Sequence, residues 1–154
     1  MNNPDFDYAQ SVFLDETALM AFMNSDHVHY TKARTLFYDL DDLDRKLVTT
    51  NHVIFDTHQR LRNHFGYTHA EYFIRIMDKA GALGKLDIIS GNPQLEQEAK
   101  LLLEERPEYE FSLTEAFTAM VVITWRIKRV FTFNPKYDLL RNLDSEIKVI
   151  PSVW

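Results

Sequence analysis

The sequence contains no cysteine and only four glycines among its 154 residues. The lack of cysteine excludes disulfides, thiolate zinc sites and cysteine nucleophiles. Neither GxxxxGK[ST] nor GxGxxG occurs, so a glycine-rich loop that cradles phosphate is absent. No serine lies in a GxSxG sequence either. The common nucleotide-binding and serine-hydrolase classes are therefore not supported.

Long apolar runs and an excess of positive charge are also missing. No run approaches the roughly 20 apolar residues that a membrane-spanning helix needs. The first ten residues, MNNPDFDYAQ, lack the basic and then apolar pattern of a secretion signal. The formal net charge of −6 disfavours broad non-specific binding to nucleic acid, although a local basic strip could still bind it. We expect a cytoplasmic protein that does not associate with membranes.

The length and the hydrophobic content of 45% are typical of one domain that buries about 70% of its unfolded surface. We expect residues 1–10 to form a flexible tail and residues 11–154 to form the domain. Short apolar or β-branched segments predict five strands, at residues 12–14, 46–50, 85–90, 129–133 and 146–150.

Helical patterns separate these strands. They cover residues 18–23, 27–43, 52–65, 68–80, 93–106 and 112–127, with Gly66 and Gly81 placed to end the third and fourth helices. Strands that alternate with helices predict an α/β fold. In it, a mostly parallel five-stranded sheet carries helices on both faces, joined by right-handed crossovers.

An acid, Asp15, comes directly after the first strand. The carboxyl ends of parallel strands border the ligand crevice of an open α/β sheet, so Asp15 is expected at the rim of such a crevice. Thr17 is expected to cap the helix that follows. The alternative is that Asp15 is itself a turn or capping residue.

Two further acids lie near the start of helices. Asp56 falls about one turn inside the helix after the second strand, and its alternative role is an exposed ion pair with Arg60, four residues on. Glu115 is the only acid at the head of an otherwise apolar helix, and the sequence SLTE from Ser112 predicts that it also completes a capping box.

The histidines raise the alternative of a transition-metal site with imidazole ligands. His52 and Asp56 are four residues apart on one predicted helix, and His58, His64 and His69 follow. No second pair repeats on the same face, so a histidine-ligated metal is disfavoured.

Four segments, in this order and at these separations, resemble the PIN-domain family of metal-dependent ribonucleases, which are common as toxins of toxin–antitoxin pairs. They are VFLDETAL, LVTTNHVIFDTHQRL, FSLTEAFTAMVV and RVFTFNPKY. The resemblance extends from about residue 11 to residue 150. It implies that Asp15, Asp56, Glu115 and Asn134 occupy the positions of a carboxylate quartet that holds Mg²⁺ or Mn²⁺, and that the hydroxyl of Thr17 supports the first acid. It also implies RNA as substrate, an antitoxin as partner and a homodimer.

The sequence departs from the family pattern at the site. The family usually has glutamate where Asp56 stands and aspartate where Glu115 stands. Asn134 replaces an aspartate and contributes no charge, while Lys136 lies where relatives often carry an acid. A hard divalent cation still finds oxygen ligands here, so we expect a site for one cation.

Basic residues and exposed aromatic residues complete the predictions. RNA phosphates are expected at Arg60, Lys128, Arg129 and Lys136. A homodimer contact is expected to use Phe37, Tyr38, Tyr72, Phe73 and Ile76.

Two functions remain open on the sequence. One is a metal-dependent endoribonuclease of PIN type, in which the cation activates water and neutralises the leaving oxygen. The other is a catalytically impaired PIN-like module that binds RNA or a partner. The order Asp15, Glu16, Thr17 does not match the DxDxT motif of aspartyl-phosphate phosphatases.

Overall fold

The computed structural model describes residues 7–151 and contains a five-stranded parallel sheet. The strands are β1 (Val12–Leu14), β2 (Leu47–Thr50), β3 (Leu86–Ile89), β4 (Arg129–Phe131) and β5 (Lys148–Ile150). Their order across the sheet is β3-β2-β1-β4-β5, and every neighbouring pair is parallel. The predicted α/β fold is confirmed.

Helices connect the strands as the alternating pattern predicts. They are α1 (Glu16–Met23), α2 (Tyr30–Asp42), α3 (Asn51–Phe65), α4 (Tyr67–Ala82), α5 (Pro93–Glu105) and α6 (Leu113–Thr124). Short 3₁₀ helices occupy Tyr8–Gln10, Pro107–Tyr109 and Pro135–Asn142. Among residues 7–151, no helix combines the length and the apolar character that crossing a bilayer requires.

The direction in which the chain adds strands reverses once. From β1 it adds β2 and β3 on one side, and it then returns to place β4 and β5 on the other side of β1. Right-handed crossovers in opposite directions put their helices on opposite faces of the sheet. In agreement, α1 packs on α2 and α3, α3 packs on α4, and α5 packs on α6. The carboxyl ends of β1 and β4 thus form the switch point where ligand crevices open in such sheets.

The centre of the sheet is buried on both faces. All three residues of β1, Val12, Phe13 and Leu14, are buried, as an uninterrupted apolar run in a parallel strand predicts. Burying a side chain of this size stabilises the fold by about 1.5–3 kcal/mol. The strand that precedes Asp15 is therefore a rigid support.

Two glycines were expected to end helices, and one does. Gly66, with φ of 93°, ends α3 as predicted. The prediction for Gly81 is wrong, because α4 continues through it to Ala82. The left-handed turn instead falls on Gly84, with φ of 72°, whose N–H donates to the carbonyl of Gly81. A glycine inside a helix costs only about 1 kcal/mol, so it need not end one.

The first described residues are ordered against the sheet. Tyr8–Gln10 form a 3₁₀ helix, and the hydroxyl of Tyr8 donates to Asp87 of β3. Of the tail predicted over residues 1–10, residues 1–6 lie outside the described residues.

The aromatic residues expected at a dimer contact are only partly exposed. Tyr38 and Tyr72 are 56% and 55% exposed, and Phe37 and Ile76 are half-buried. Phe73 is 0% exposed, so its prediction as a surface residue is wrong. Its ring belongs to the apolar stripe of α4 that faces the core.

Candidate active site

A cavity of about 220 Å³ opens where the switch point is expected. Four acids line it, namely Asp15, Glu16, Asp56 and Glu115. The remaining lining residues are Thr17, Val53, Arg60, Ser112, Thr114, Thr118, Asn134 and Tyr137. All five residues that the sequence nominated for the site therefore lie in one cavity.

Asp15 combines a capping role with a place in the cavity. Its Oδ1 accepts a hydrogen bond from the backbone N–H of Ala18 at 3.0 Å, so Asp15 is the N-cap of α1. The prediction that Thr17 caps this helix is wrong, because Thr17 lies in its first turn and donates its hydroxyl to Asp15 Oδ1 at 2.7 Å. The same hydroxyl accepts the backbone N–H of Phe133 at 2.8 Å. Thr17 thereby links the start of α1 to the segment after β4.

Thr132 is a further site residue that the sequence did not reveal. Its hydroxyl donates to Asp15 Oδ2 at 2.6 Å, and the residue is fully buried. In the sequence it reads as one more β-branched residue of the strand predicted over 129–133. Because β4 ends at Phe131, Thr132 is instead the first residue beyond its carboxyl end.

Burial dominates the electrostatics of Asp15. The side chain is 3% exposed, and burial raises its pKa to about 6 although hydrogen bonds from Thr132, Ala18 and Thr17 act to lower it. The negative charge of Glu16 raises the pKa further. No ion pair to Asp15 is present within residues 7–151. A cation beside this carboxylate would therefore be strongly favoured.

Glu115 forms the predicted capping box and also contacts two side chains from the segment that follows β4. Its Oε1 accepts the N–H of Ser112 at 2.7 Å, and Ser112 in turn caps α6. Its Oε2 accepts the amide N–H of Asn134 at 2.6 Å, and Lys136 Nζ lies 3.3 Å from Oε1. Burial alone would raise the pKa of Glu115, but these three partners together hold it below its ordinary value. Glu115 is an ionised and well-satisfied carboxylate.

Asn134 acts as a hydrogen-bond donor towards the cavity. Its Oδ1 accepts the backbone N–H of Lys136 at 3.1 Å and caps the 3₁₀ helix Pro135–Asn142. Its NH₂ group consequently faces Glu115. Asn134 therefore holds Glu115 in place and does not present an oxygen to the cavity.

Glu16 is the second residue missed by sequence reasoning, because an acid in a first helical turn is commonplace. Arg60 Nε lies 3.0 Å from Glu16 Oε2, an atom that is buried and accepts no hydrogen bond from the described residues. Burial raises the pKa of Glu16 against the opposing effect of Arg60, and Asp56 and Glu115 raise it further. The alternative pair of Asp56 with Arg60 is wrong, since the guanidinium pairs with Glu16. The side chain of Asp56 is half-buried and forms no hydrogen bond to another side chain or to the backbone within the described part of the chain.

The predicted phosphate-binding residues divide into two groups. Arg60 lines the cavity and Lys136 reaches Glu115. Lys128 and Arg129 lie at the amino end of β4, whereas the cavity lies at the carboxyl ends of the strands. The structure therefore does not bring them to the cavity. Lys128 also pairs with Asp144 at 2.7 Å and with Glu146 at 3.2 Å.

The cavity suits one hard cation better than several. Its acids offer only oxygen ligands, and the buried Glu16 Oε2 has the ion pair with Arg60 as its single partner among the described residues. Across residues 7–151, no three histidine or acid side chains approach closely enough to hold a metal ion among themselves. Mg²⁺ commonly takes one or two carboxylates and completes its shell with water and phosphate oxygens. The residues fit an ion bound in that way.

Comparison with known proteins supports the fold. No protein-family model matches the sequence, and no curated protein matches it. Among solved structures, VapC20 from Mycobacterium tuberculosis, described as a toxin that cleaves the sarcin–ricin loop, matches with a TM-score of 0.71 and 21% identity over 83% of this chain and 93% of its own. PAE2754 from Pyrobaculum aerophilum matches with a TM-score of 0.54 and 17% identity over 96% of this chain and 90% of its own. VapC20 is a PIN-domain toxin, so the protein has the PIN-domain fold that its sequence motifs predict.

Proposed function

We propose that the protein is an endoribonuclease of the PIN type that hydrolyses RNA phosphodiester bonds with Mg²⁺ or Mn²⁺. The observation that carries the proposal is the meeting of four acids in one cavity at the switch point of the sheet. The fold shared with VapC20, a toxin that cleaves the sarcin–ricin loop, supports RNA as the substrate class.

Asp15 and Asp56 are the residues that would hold the cation, with Glu16 beside them. Asp15 lacks a cationic partner, and the carboxylate of Asp56 accepts no hydrogen bond from the described residues. Glu115 already accepts hydrogen bonds from Ser112, Asn134 and Lys136. It therefore adds negative charge to the cavity without coordinating the cation directly. Bound there, the cation supplies Lewis-acid activation of water and neutralises charge on the leaving oxygen.

The surrounding residues orient these acids and receive the substrate. Thr17 and Thr132 fix both oxygens of Asp15, which removes the cost of ordering the carboxylate during the reaction. Arg60 lies at the cavity with 60% of its side chain exposed. Its guanidinium is suited to bind a phosphate of RNA when it leaves Glu16.

Cleavage of a single-stranded RNA pool in Mn²⁺ tests this function. We expect Asp15→Asn to reduce the rate by about a hundredfold or more, because a neutral amide replaces the carboxylate in the metal site. Asp78→Asn is the matched control, since Asp78 is exposed on α4. A wild-type rate no higher than that of Asp15→Asn would show that the cavity is not a nuclease site.

The biological setting that we propose is a toxin of a toxin–antitoxin pair in the cytoplasm. An antitoxin protein is then the partner, and the toxin is a homodimer. Induced expression should arrest growth for the wild type and not for Asp15→Asn. Light scattering at micromolar concentration should give twice the chain mass of 18.2 kDa.

One observation favours a second candidate, a PIN-like module that binds RNA or a partner without cutting. Asn134 and Lys136 already contact Glu115, and although four acids line the cavity, no three acids or histidines in the described structure lie close enough to hold one metal ion. RNA binding that survives while neither the wild type nor Asn134→Asp cleaves would favour this candidate.

A further inference from the structure

A second cavity, of about 340 Å³, adjoins the candidate active site. Thr114 lines both cavities. His52 and Asp56 lie four residues apart on α3, so their side chains share one face and are separated by one turn, about 5.4 Å. His52 lines the second cavity and Asp56 lines the first. The two cavities are thus consecutive along α3.

The second cavity combines rings, apolar surface and polar groups of both kinds. The ring of His52 stands edge-on to the ring of Phe117, with centroids 4.5 Å apart and an angle of 77°. Leu113, which is 49% exposed, adds apolar surface. Glu96 and Lys100 lie four residues apart on α5 and offer an acceptor and a donor.

Gly91 sets the position of the His52 ring. A Cβ at Gly91 would lie 2.7 Å from His52 Nε2 and 3.2 Å from Phe117 Cζ, so the imidazole would have to move. The backbone there does not have the positive φ that Gly66 and Gly84 show. The residue is small because the ring approaches the backbone closely, and its N–H donates to Asn51 at 3.1 Å.

We propose that this second cavity binds an unstacked nucleobase of the RNA strand whose phosphodiester lies in the first cavity, an inference that rests on the proposed function. Proteins recognise single-stranded RNA by packing bases on rings and by hydrogen bonds to the base edges. The cavity volume is in the range of small-molecule sites, and its donors and acceptors match a base edge. One helical turn along α3 connects it to the acids.

The test measures binding of a labelled RNA heptamer by fluorescence anisotropy in EDTA, where metal-dependent cleavage cannot occur. A series of probes makes each nucleotide abasic in turn. For the wild type, an abasic site at one position should raise Kd about tenfold, and abasic sites elsewhere should raise it less. Replacing His52 with Ala should abolish this position-specific loss, whereas His52→Phe, which keeps a ring, should retain most of it.

A glycine pair supplies the matched control. Gly91→Ala should abolish the loss because the new methyl displaces His52. Gly81→Ala should preserve it, since a Cβ at Gly81 meets only the carbonyl oxygen of Leu86, at 3.9 Å. A wild type that shows no position-specific loss, or His52→Ala and Gly91→Ala variants that keep it in full, would overturn the proposal.

The two proposals can fail separately. If the wild type does not cleave RNA in Mn²⁺ but shows an abasic penalty that depends on His52, the nuclease proposal fails and the base site stands. If it cleaves, and no abasic nucleotide changes its binding, the base site is wrong and the nuclease proposal stands.

Discussion

Asp15 is the one carboxyl group that lies fully buried among residues 7–151. Its pKa of about 6 in the folded protein exceeds its ordinary value of 3.8, so the native state holds more protons than the unfolded chain between these pH values. The contribution of Asp15 to stability is therefore full below about pH 4 and is lost as pH rises through 6. Two pKa units correspond to about 3 kcal/mol.

We expect the free energy of unfolding in EDTA, measured with urea at pH 4.5 and 7.5, to fall more for the wild type than for Asp15→Asn. The asparagine does not titrate, so the difference between the two proteins isolates this group. Equal pH dependence would show that Asp15 ionises as an ordinary carboxyl. Cleavage in Mn²⁺ should rise with pH as Asp15 ionises, at a pH below 6, because the cation needs the ionised form and its charge lowers the pKa of the carboxyl group.

Asn134 permits a test of charge in the site. In Asn134→Asp, a carboxylate would replace the amide whose nitrogen lies 2.6 Å from Glu115 Oε2, and the repulsion would favour a bound cation. We expect tighter Mn²⁺ binding by calorimetry and faster cleavage, with larger gains when Lys136→Ala also removes the neighbouring ammonium. Asn142→Asp, exposed at the end of the same 3₁₀ helix, adds the same charge away from the cavity and should change neither. Unchanged affinity in Asn134→Asp would mean that position 134 does not influence the ion.

At the scale of elements, β4 and α1 meet through Thr132 and Asp15. Thr132→Val removes a hydrogen bond to a charged group, which is worth about 1.5–3 kcal/mol, and should raise the pKa of Asp15 further. We expect Thr132→Val to be less stable and to have its pH–rate profile shifted to higher pH. Thr132→Ser keeps the hydroxyl and should resemble the wild type. Thr49→Val removes an equally buried bond, to the carbonyl of Leu14 at 2.7 Å, and should lower stability without shifting the profile. If the pH–rate profile shifts in both variants, or in neither, Thr132 does not specifically control the ionisation of Asp15.

Most elements could be predicted from the sequence, because apolar periodicity, a cap such as Ser112 and a proline in the first turn, as at Pro93 of α5, are local signals. Helix ends were less certain, as Gly81 shows. Asp15 and Glu115 could be nominated because one follows a strand and the other lies in the first turn of a helix, and the family resemblance then grouped them with Asp56, which lies more than one turn inside α3. Thr132 and Glu16 could not, since their roles depend on side chains that only the tertiary structure brings near. The direction in which Asn134 presents its amide is likewise set by the 3₁₀ helix after it.

For the whole molecule, the cavity should make stability depend on divalent metal. Binding at a hundredfold excess over Kd stabilises a fold by about 2.7 kcal/mol. In a protein of this size that raises Tm by about 5–10 °C. We expect this rise between EDTA and millimolar Mn²⁺ for the wild type and for Asp78→Asn, and its loss in Asp15→Asn. The same Tm with chelator and with Mn²⁺ would contradict a metal site.

The bond between Thr132 and Asp15 also has a consequence for how the protein is made. It joins residues 117 positions apart, and Glu115 and Asn134 likewise enter the cavity from late in the chain. A ribosome must therefore synthesise β1 to β4 before Asp15 and Glu115 can be brought together, so the cavity cannot form on a shorter nascent chain. A nuclease of the kind proposed above would therefore have no complete site until β4 has been made.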